Sequence, residues 1–204
     1  HFNDIENLRE QVKGREKTIA AIVVEPARGE EAPKTYLNAL KELANEIGAV
    51  LIFDEITSGF RMCPGGIHMR YGVSPDIAVF AKALANGYAM AAVIGVAGVM
   101  ETAQDTFISS TNWTERVGPT AALATIKKYV RENAHEHLID FGNQVKMIWQ
   151  RQADFHELKI KTSGLPSLAT FTFNNPDAQM MQTVFVIEML KRGIMAFRQF
   201  KPSL

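Results

Sequence analysis

Residues 49–82 read AVLIFDEITSGFRMCPGGIHMRYGVSPDIAVFAK, and this stretch decides the fold. It opens on five apolar residues, Ala49 to Phe53, and stops at two acids, Asp54 and Glu55. It closes on a second apolar run, Ile77 to Ala81, and stops at Lys82. Continuous apolar runs of this length, rich in branched and aromatic residues, predict strands buried on both faces of a sheet. Each run delivers a charged side chain at a strand's carboxyl end, the edge where open α/β sheets bind their ligands. A carboxylate and a primary amine, 28 residues apart (82 − 54), are therefore expected on one rim.

The flanks extend the same pattern. Ile19 to Val24 (IAAIVV) predicts another buried strand, closed by Glu25-Pro26, where proline ends the ladder. Pro33 to Gly48 predicts a helix: Tyr36, Leu37, Leu40, Leu43, Ala44 and Ile47 recur at helical spacing and Gly48 suits the C-terminal cap. A strand–helix–strand connection of this length implies parallel strands. Ala91 to Val96 predicts one further strand. Neither G-x-G-x-x-G nor G-x-x-x-x-G-K-[ST] occurs, which disfavours a nucleotide-binding doubly wound domain.

An amine facing a carboxylate suits one particular chemistry. A lysine amine forms a Schiff base with an aldehyde cofactor, and a carboxylate beside a pyridine nitrogen keeps that nitrogen protonated. This reading makes Lys82 the Schiff-base lysine and Asp54 the ring partner, with pyridoxal 5'-phosphate (PLP) as cofactor. Spacing by itself favours two ordinary strand-end charges that meet water, because Asp and Lys are common there.

Four ordered motifs add to the spacing: IVVEPARGEEAP, LIFDEITSGFR, YGVSPDIAVFAKALANGYAMAAVIG and SSTNWTERVGPTAALATI. Together they resemble the class III PLP-dependent aminotransferases, and DEITSGFR is most similar to the glutamate-1-semialdehyde aminomutase-like branch. The resemblance implies an α/β fold, PLP-transferase fold type I, with a mostly parallel sheet, helices on both faces and part of a small α/β C-terminal domain. It implies transamination between an amino donor and a keto acid or aldehyde, or an intramolecular aminomutase reaction. A truncated, non-catalytic copy of the fold is the competing class. It also implies a homodimer with shared active sites.

The resemblance assigns further residues. Ile56 is expected against one face of the cofactor ring. Thr57 stands where many relatives carry a glutamine or histidine that reaches the cofactor's phenolic oxygen, and a threonine is shorter. Glu30 matches a glutamate that gates substrate; a solvated loop acid is the plainer alternative. Thr111 or Thr114 is expected to bind the neighbouring subunit's PLP phosphate, with simple helix capping as the alternative for each. His68 is expected to be a surface or packing histidine.

Further along, Gly118-Pro119 predicts the start of a helix, and Leu138 to about Leu158 predicts a long one with Ile139, Val145, Ile148, Trp149 and Phe155 packing. Ile160 to Phe173 predicts a hairpin bent at Gly164 and Pro166, and Ala178 to Lys191 a helix. Met181, Val184, Phe185, Ile187 and Met189 are expected mostly inward, and Ile194 to Phe197 begins a strand. Residues 1–152 are assigned to the large PLP-binding domain and 153–204 to an incomplete small one. Arg198 has the planar fork of a carboxylate clamp, though a surface arginine is the simpler reading.

Composition narrows the partners. Of 204 residues, 47% are hydrophobic and 22% charged, with Lys plus Arg equal to Asp plus Glu at 22 each. No basic excess points to nucleic acid or a membrane surface. No apolar run approaches a membrane span. The single cysteine, Cys63, suggests a reducing compartment such as the cytoplasm. His135 and His137 do not share a helix face, and no metal site is read. The chain begins His1-Phe2 without methionine, and the resemblance implies a Gly/Ser-rich phosphate turn and a ring-stacking aromatic residue that are not found before Ile19. The expectation is a segment of a protein roughly twice as long.

Overall fold

The computed structural model describes residues 2–27 and 29–196; Phe197 and Arg198 lie outside the described residues. The chain divides into two compact units, His1–Ala134 and His135–Leu204.

The first unit opens with α1 (Ile5–Val12), whose N-terminus is capped by the Asp4 carboxylate on the Asn7 amide at 3.0 Å. β1 (Ala21–Val24), α2 (Lys34–Ile47) and β2 (Val50–Asp54) follow as the expected strand–helix–strand unit. After them come the one-turn helix α3 (His68–Tyr71), β3 (Ile77–Phe80), β4 (Ala92–Gly95), another single turn α4 (Ala97–Met100), and α5 (Val117–Arg131). The strands form one sheet in the order β1-β2-β3-β4. β1, β2 and β3 run parallel, while β4 runs antiparallel to β3, so the sheet is mostly parallel.

The amphipathic pattern of α2 explains the core. Leu37, Leu40, Leu43 and Ala44 share one face and pack with Ile22, Leu51, Phe53 and Val73. Gly48 ends the helix with φ of 72°, the left-handed conformation that a Cβ disfavours. A second cluster joins Ala78 and Phe80 of β3 to Leu84, Ala85 and Ala122 of α5.

One expectation fails in part. Burial on both faces does not hold for β1, where Val23 is 64% exposed; in β4, Val93 and Ile94 are about half exposed. β2 shows why the rule is face-specific. Leu51 and Phe53 are fully buried beneath α2, and the alternating residues Ile52 and Asp54 are only half-buried.

The second unit contains α6 (Ala134–Phe155), the antiparallel pair β5 (Ile160–Ser163) and β6 (Thr170–Phe173), and α7 (Ala178–Lys191). Gly164 and a 3-10 turn at Pro166–Leu168 make the bend, as expected. Its aromatic core sets Phe171 5.1 Å from Trp149 and 5.3 Å from Phe185, by ring centroids. Four side-chain placements differ from expectation. Ile148 and Phe155 of α6 are exposed, and so are Val184 and Ile187 of α7. α7 is apolar on nearly all sides, so spacing could not select its inner face. Ile194 to Ala196 have no regular structure, in place of the expected strand start.

Candidate active site

The parallel register of β2 and β3 pairs Asp54 with Val79. Both strands end at the same edge, and the chain beyond each turns sharply. After β2, residues 56–60 form a turn closed by the Gly59 amide on the Glu55 carbonyl at 2.7 Å. Gly59 is required there, because a Cβ would stand 2.6 Å from the Phe80 ring and 2.7 Å from the Glu55 carbonyl. After β3, Ala81 is fully extended and Lys82 takes φ of 48°. A non-glycine residue in that left-handed region is uncommon and marks a position the surroundings over-determine.

Lys82 is exposed, and its Nζ donates to Thr57 Oγ1 at 2.9 Å. Asp54 is half-buried, and its Oδ1 accepts the Ile56 amide at 2.9 Å. That bond fixes the carboxylate and leaves Oδ2 available. Ile56, like Asp54, is half-buried. The structure thus brings Asp54, Ile56, Thr57 and Lys82 to the carboxyl ends of two adjacent strands. Sequence reasoning had not paired Thr57 with Lys82.

Glu55 is the residue whose role the sequence concealed. Its side chain is fully buried. It accepts from Ser58 Oγ at 2.5 Å, from the Ile67 and His68 amides at 3.0 Å each, and lies 2.7 Å from His68 Nδ1. Burial pushes this carboxyl up, but the bonds from His68, Ser58 and the two amides outweigh it and hold it below the ordinary 4.5. An ionised carboxylate only accepts, so His68 Nδ1 carries the proton. His68 is therefore a packing and anchoring histidine. Glu55 ties residues 58–68 back to the strand end and so supports the turn that presents Thr57. The only sequence signal was an acid directly after a buried run, which strand-end solvation explains equally well.

Glu30 sits exposed on the loop after β1. Its neighbour Glu31 forms a bridge with Ala27, accepts from the Tyr71 hydroxyl and lies 3.8 Å from Arg70. Burial, and then that bond to Glu31, push the Tyr71 hydroxyl's pKa up. Thr111 and Thr114 lie exposed in a turn before α5. Neither caps the helix. The Glu115 carboxylate does so, accepting from the Val117 amide and from the Gly118 amide at 2.8 Å. An acid at a helix N-terminus also meets the positive end of the helix dipole. A hollow of about 500 Å³ opens between Asn86, Tyr88 and the first half of α5, lined also by Arg116 and Thr120. Among the described residues, no group of three His, Cys, Asp or Glu could hold a metal ion, and no helix is long and apolar enough to cross a membrane.

The fold and motifs have close parallels. The chain is 31% identical over 204 residues to a 3-aminobutyryl-CoA aminotransferase from Cloacimonas acidaminovorans, covering 95% of this chain and 49% of that protein. It is 35% identical over 199 residues to a glutamate-1-semialdehyde 2,1-aminomutase from Chlorobium phaeobacteroides, covering 94% and 46%. The chain spans about half the length of the curated relatives it matches. Among solved structures, the PLP internal aldimine form of the FumI protein from Sphingopyxis sp. MTA144 superposes with a TM-score of 0.89 at 25% identity, over 98% of this chain and 50% of that one. An omega-transaminase from Sphaerobacter thermophilus shares the fold with a TM-score of 0.88 at 23% identity, over 100% and 51%. The architecture is PLP-transferase fold type I. A family profile for class III aminotransferases matches residues 2–198. This chain belongs to the class III aminotransferase family, whose members are PLP-dependent enzymes.

Proposed function

We propose that the protein is a PLP-dependent aminotransferase in which Lys82 carries the cofactor. The observation that bears most weight is the placing of an accessible lysine amine and a fixed carboxylate, Asp54, at the ends of adjacent strands β2 and β3. These groups fit PLP: the amine matches its aldehyde, and the free Oδ2 of Asp54 matches a protonated ring nitrogen. When bound, PLP supplies an aldehyde for reversible covalent attachment and an electron-withdrawing ring that stabilises negative charge on the substrate carbon.

The chain's own residues then have distinct tasks. Lys82 would hold the cofactor through its amine, and the same amine, when free, would move the proton at the substrate's α-carbon. Asp54 holds a proton on the ring nitrogen, because an opposite charge at close range favours the charged form. Ile56 supplies an apolar surface for one face of the ring. Thr111 or Thr114 binds the phosphate of a neighbouring subunit in a homodimer with shared sites, and Glu30 gates the substrate. Residues 1–152 belong to the PLP-binding domain and 153–204 to a smaller one, and the protein works in the cytoplasm. The substrates are a small-molecule amino donor and a keto acid or aldehyde acceptor.

An aminomutase reaction is the second reading, favoured by the 35% identity to a glutamate-1-semialdehyde aminomutase. The two differ in whether the aminated product leaves before the cofactor is restored. The test is a half-reaction screen on the intact protein. Adding an amino donor alone should bleach the absorbance of the cofactor-loaded protein and release a keto product. Cofactor-loaded protein that no donor bleaches would refute the transaminase reading, and a colourless protein indifferent to PLP would favour a non-catalytic copy of the fold.

A further inference from the structure

We propose that Thr57 is a positioning residue for the Lys82 amine, a role that rests on the reading of Lys82 as the attachment point. The sheet register explains their meeting. Asp54 pairs with Val79, a separation of 25 residues (79 − 54), and Thr57 and Lys82 have the same separation (82 − 57). Each therefore lies three residues beyond a paired position on parallel neighbouring strands. The Gly59–Glu55 turn and the buried Ser58–Glu55 contact fix the backbone around Thr57. The left-handed backbone at Lys82 aims its stem, and Nζ reaches Thr57 Oγ1 at 2.9 Å.

The chemistry gives that contact a purpose. A lysine stem has four rotatable carbons and its ammonium is a mobile point charge. Threonine is stiff about χ1, so its hydroxyl is a fixed acceptor. When one N–H of the neutral amine donates to Oγ1, the nitrogen's lone pair faces away from Thr57. That lone pair must meet the aldehyde carbon. The nitrogen gives its electron pair to the carbon, a C=N bond replaces the C=O bond, and the carbonyl oxygen leaves as water with the two protons that the amine gives up. No oxidant or reductant takes part. Thr57 neither gains nor loses a covalent bond in this step; it limits the orientations from which the amine starts.

The intact protein with Thr57→Val and Thr57→Ser tests this. Valine keeps the shape and removes the acceptor; serine keeps the hydroxyl. One readout is reductive methylation of Lys82 with limiting formaldehyde and cyanoborohydride, measured by peptide mass spectrometry against the exposed Lys128 and Lys161. The other is the rate at which the apoprotein takes up PLP, followed by absorbance. Thr57→Val should slow both at Lys82 by about threefold to tenfold, the worth of one ordinary hydrogen bond. Thr57→Ser should stay within about twofold of the parent by the same measure. A valine variant labelled at the parental rate or faster overturns the proposal, as does a serine variant as slow as the valine one. If the parent takes up no PLP, the proposed function falls, while the formaldehyde comparison still decides the role of Thr57.

Discussion

Two segments of the first unit, residues 55–67 and residues 106–116, each carry Thr, Ser, Glu and Arg and are built in opposite ways. The first is organised by one buried carboxylate, Glu55, which collects bonds from residues up to thirteen positions away. Among the described residues the second has only local bonds, such as Thr106 Oγ1 to the Ala103 carbonyl at 3.0 Å and the Glu115 amide to the Asn112 carbonyl at 3.2 Å, and all its residues but Glu115 are exposed. The difference teaches where preorganisation resides. The segment that follows β2 is fixed by long-range contacts and can orient Thr57 and Lys82. The segment before α5 offers hydroxyls but is held by nothing distant among the described residues.

The comparison breaks first at Lys82. In the intact protein, Lys82→Ala should lower amino transfer by about a hundredfold to ten-thousandfold, since in the proposed mechanism it removes both attachment and proton transfer, and leave thermal stability near the parent's. An active Lys82→Ala variant would show that the anchored segment serves no chemistry. Glu55→Ala comes next: it should cost about 3 kcal/mol in denaturant unfolding, because it leaves His68, Ser58 and two amides without their buried partner. A loss below about 0.5 kcal/mol, the range of an ordinary surface substitution, would equate the two segments.

Acid sharpens the same point. Glu55's folded pKa is lowered, so its ionised form contributes stability that is present above the ordinary value of 4.5. That contribution is lost as pH falls through the lower folded value. The stability gap between the parent and Glu55→Gln should narrow as pH falls below about 4.5, measured by urea midpoints. A gap that stays constant with pH would remove the carboxylate's charge from the account.

The smallest effects belong to the second segment. Glu115→Ala should cost about 1 kcal/mol through the lost cap on α5. Thr111→Val and Thr114→Val should each cost under about 0.5 kcal/mol in the same assay. One of them should nevertheless weaken PLP retention, if the proposed phosphate role holds. If neither does, the phosphate role passes to another residue.

The sequence made the frame legible and hid the fastenings. β2, β3, α2 and the hairpin β5–β6 fall close to where apolar runs, helical spacing and the Gly164–Pro166 bend place them. These signals are local, and local periodicity survives folding. The strand-end positions of Asp54 and Lys82 were legible because each ends an apolar run. Glu55 was not, because its partners Ile67 and His68 join it only when the loop closes. Glu115 has no capping signature, because Ser, Thr, Asp and Asn are the commoner caps. The inner face of α7 could not be chosen, since apolar residues surround the helix. The positive φ at Lys82 has no sequence signature in a residue that is not glycine.

The most direct measurement is borohydride trapping on the intact protein loaded with PLP, followed by digestion and peptide mass spectrometry. The account predicts that the cofactor's mass is fixed on the peptide containing Lys82 and is absent after Lys82→Ala. Cofactor fixed on another lysine, or a fully active protein with Lys82 unmodified, would contradict it.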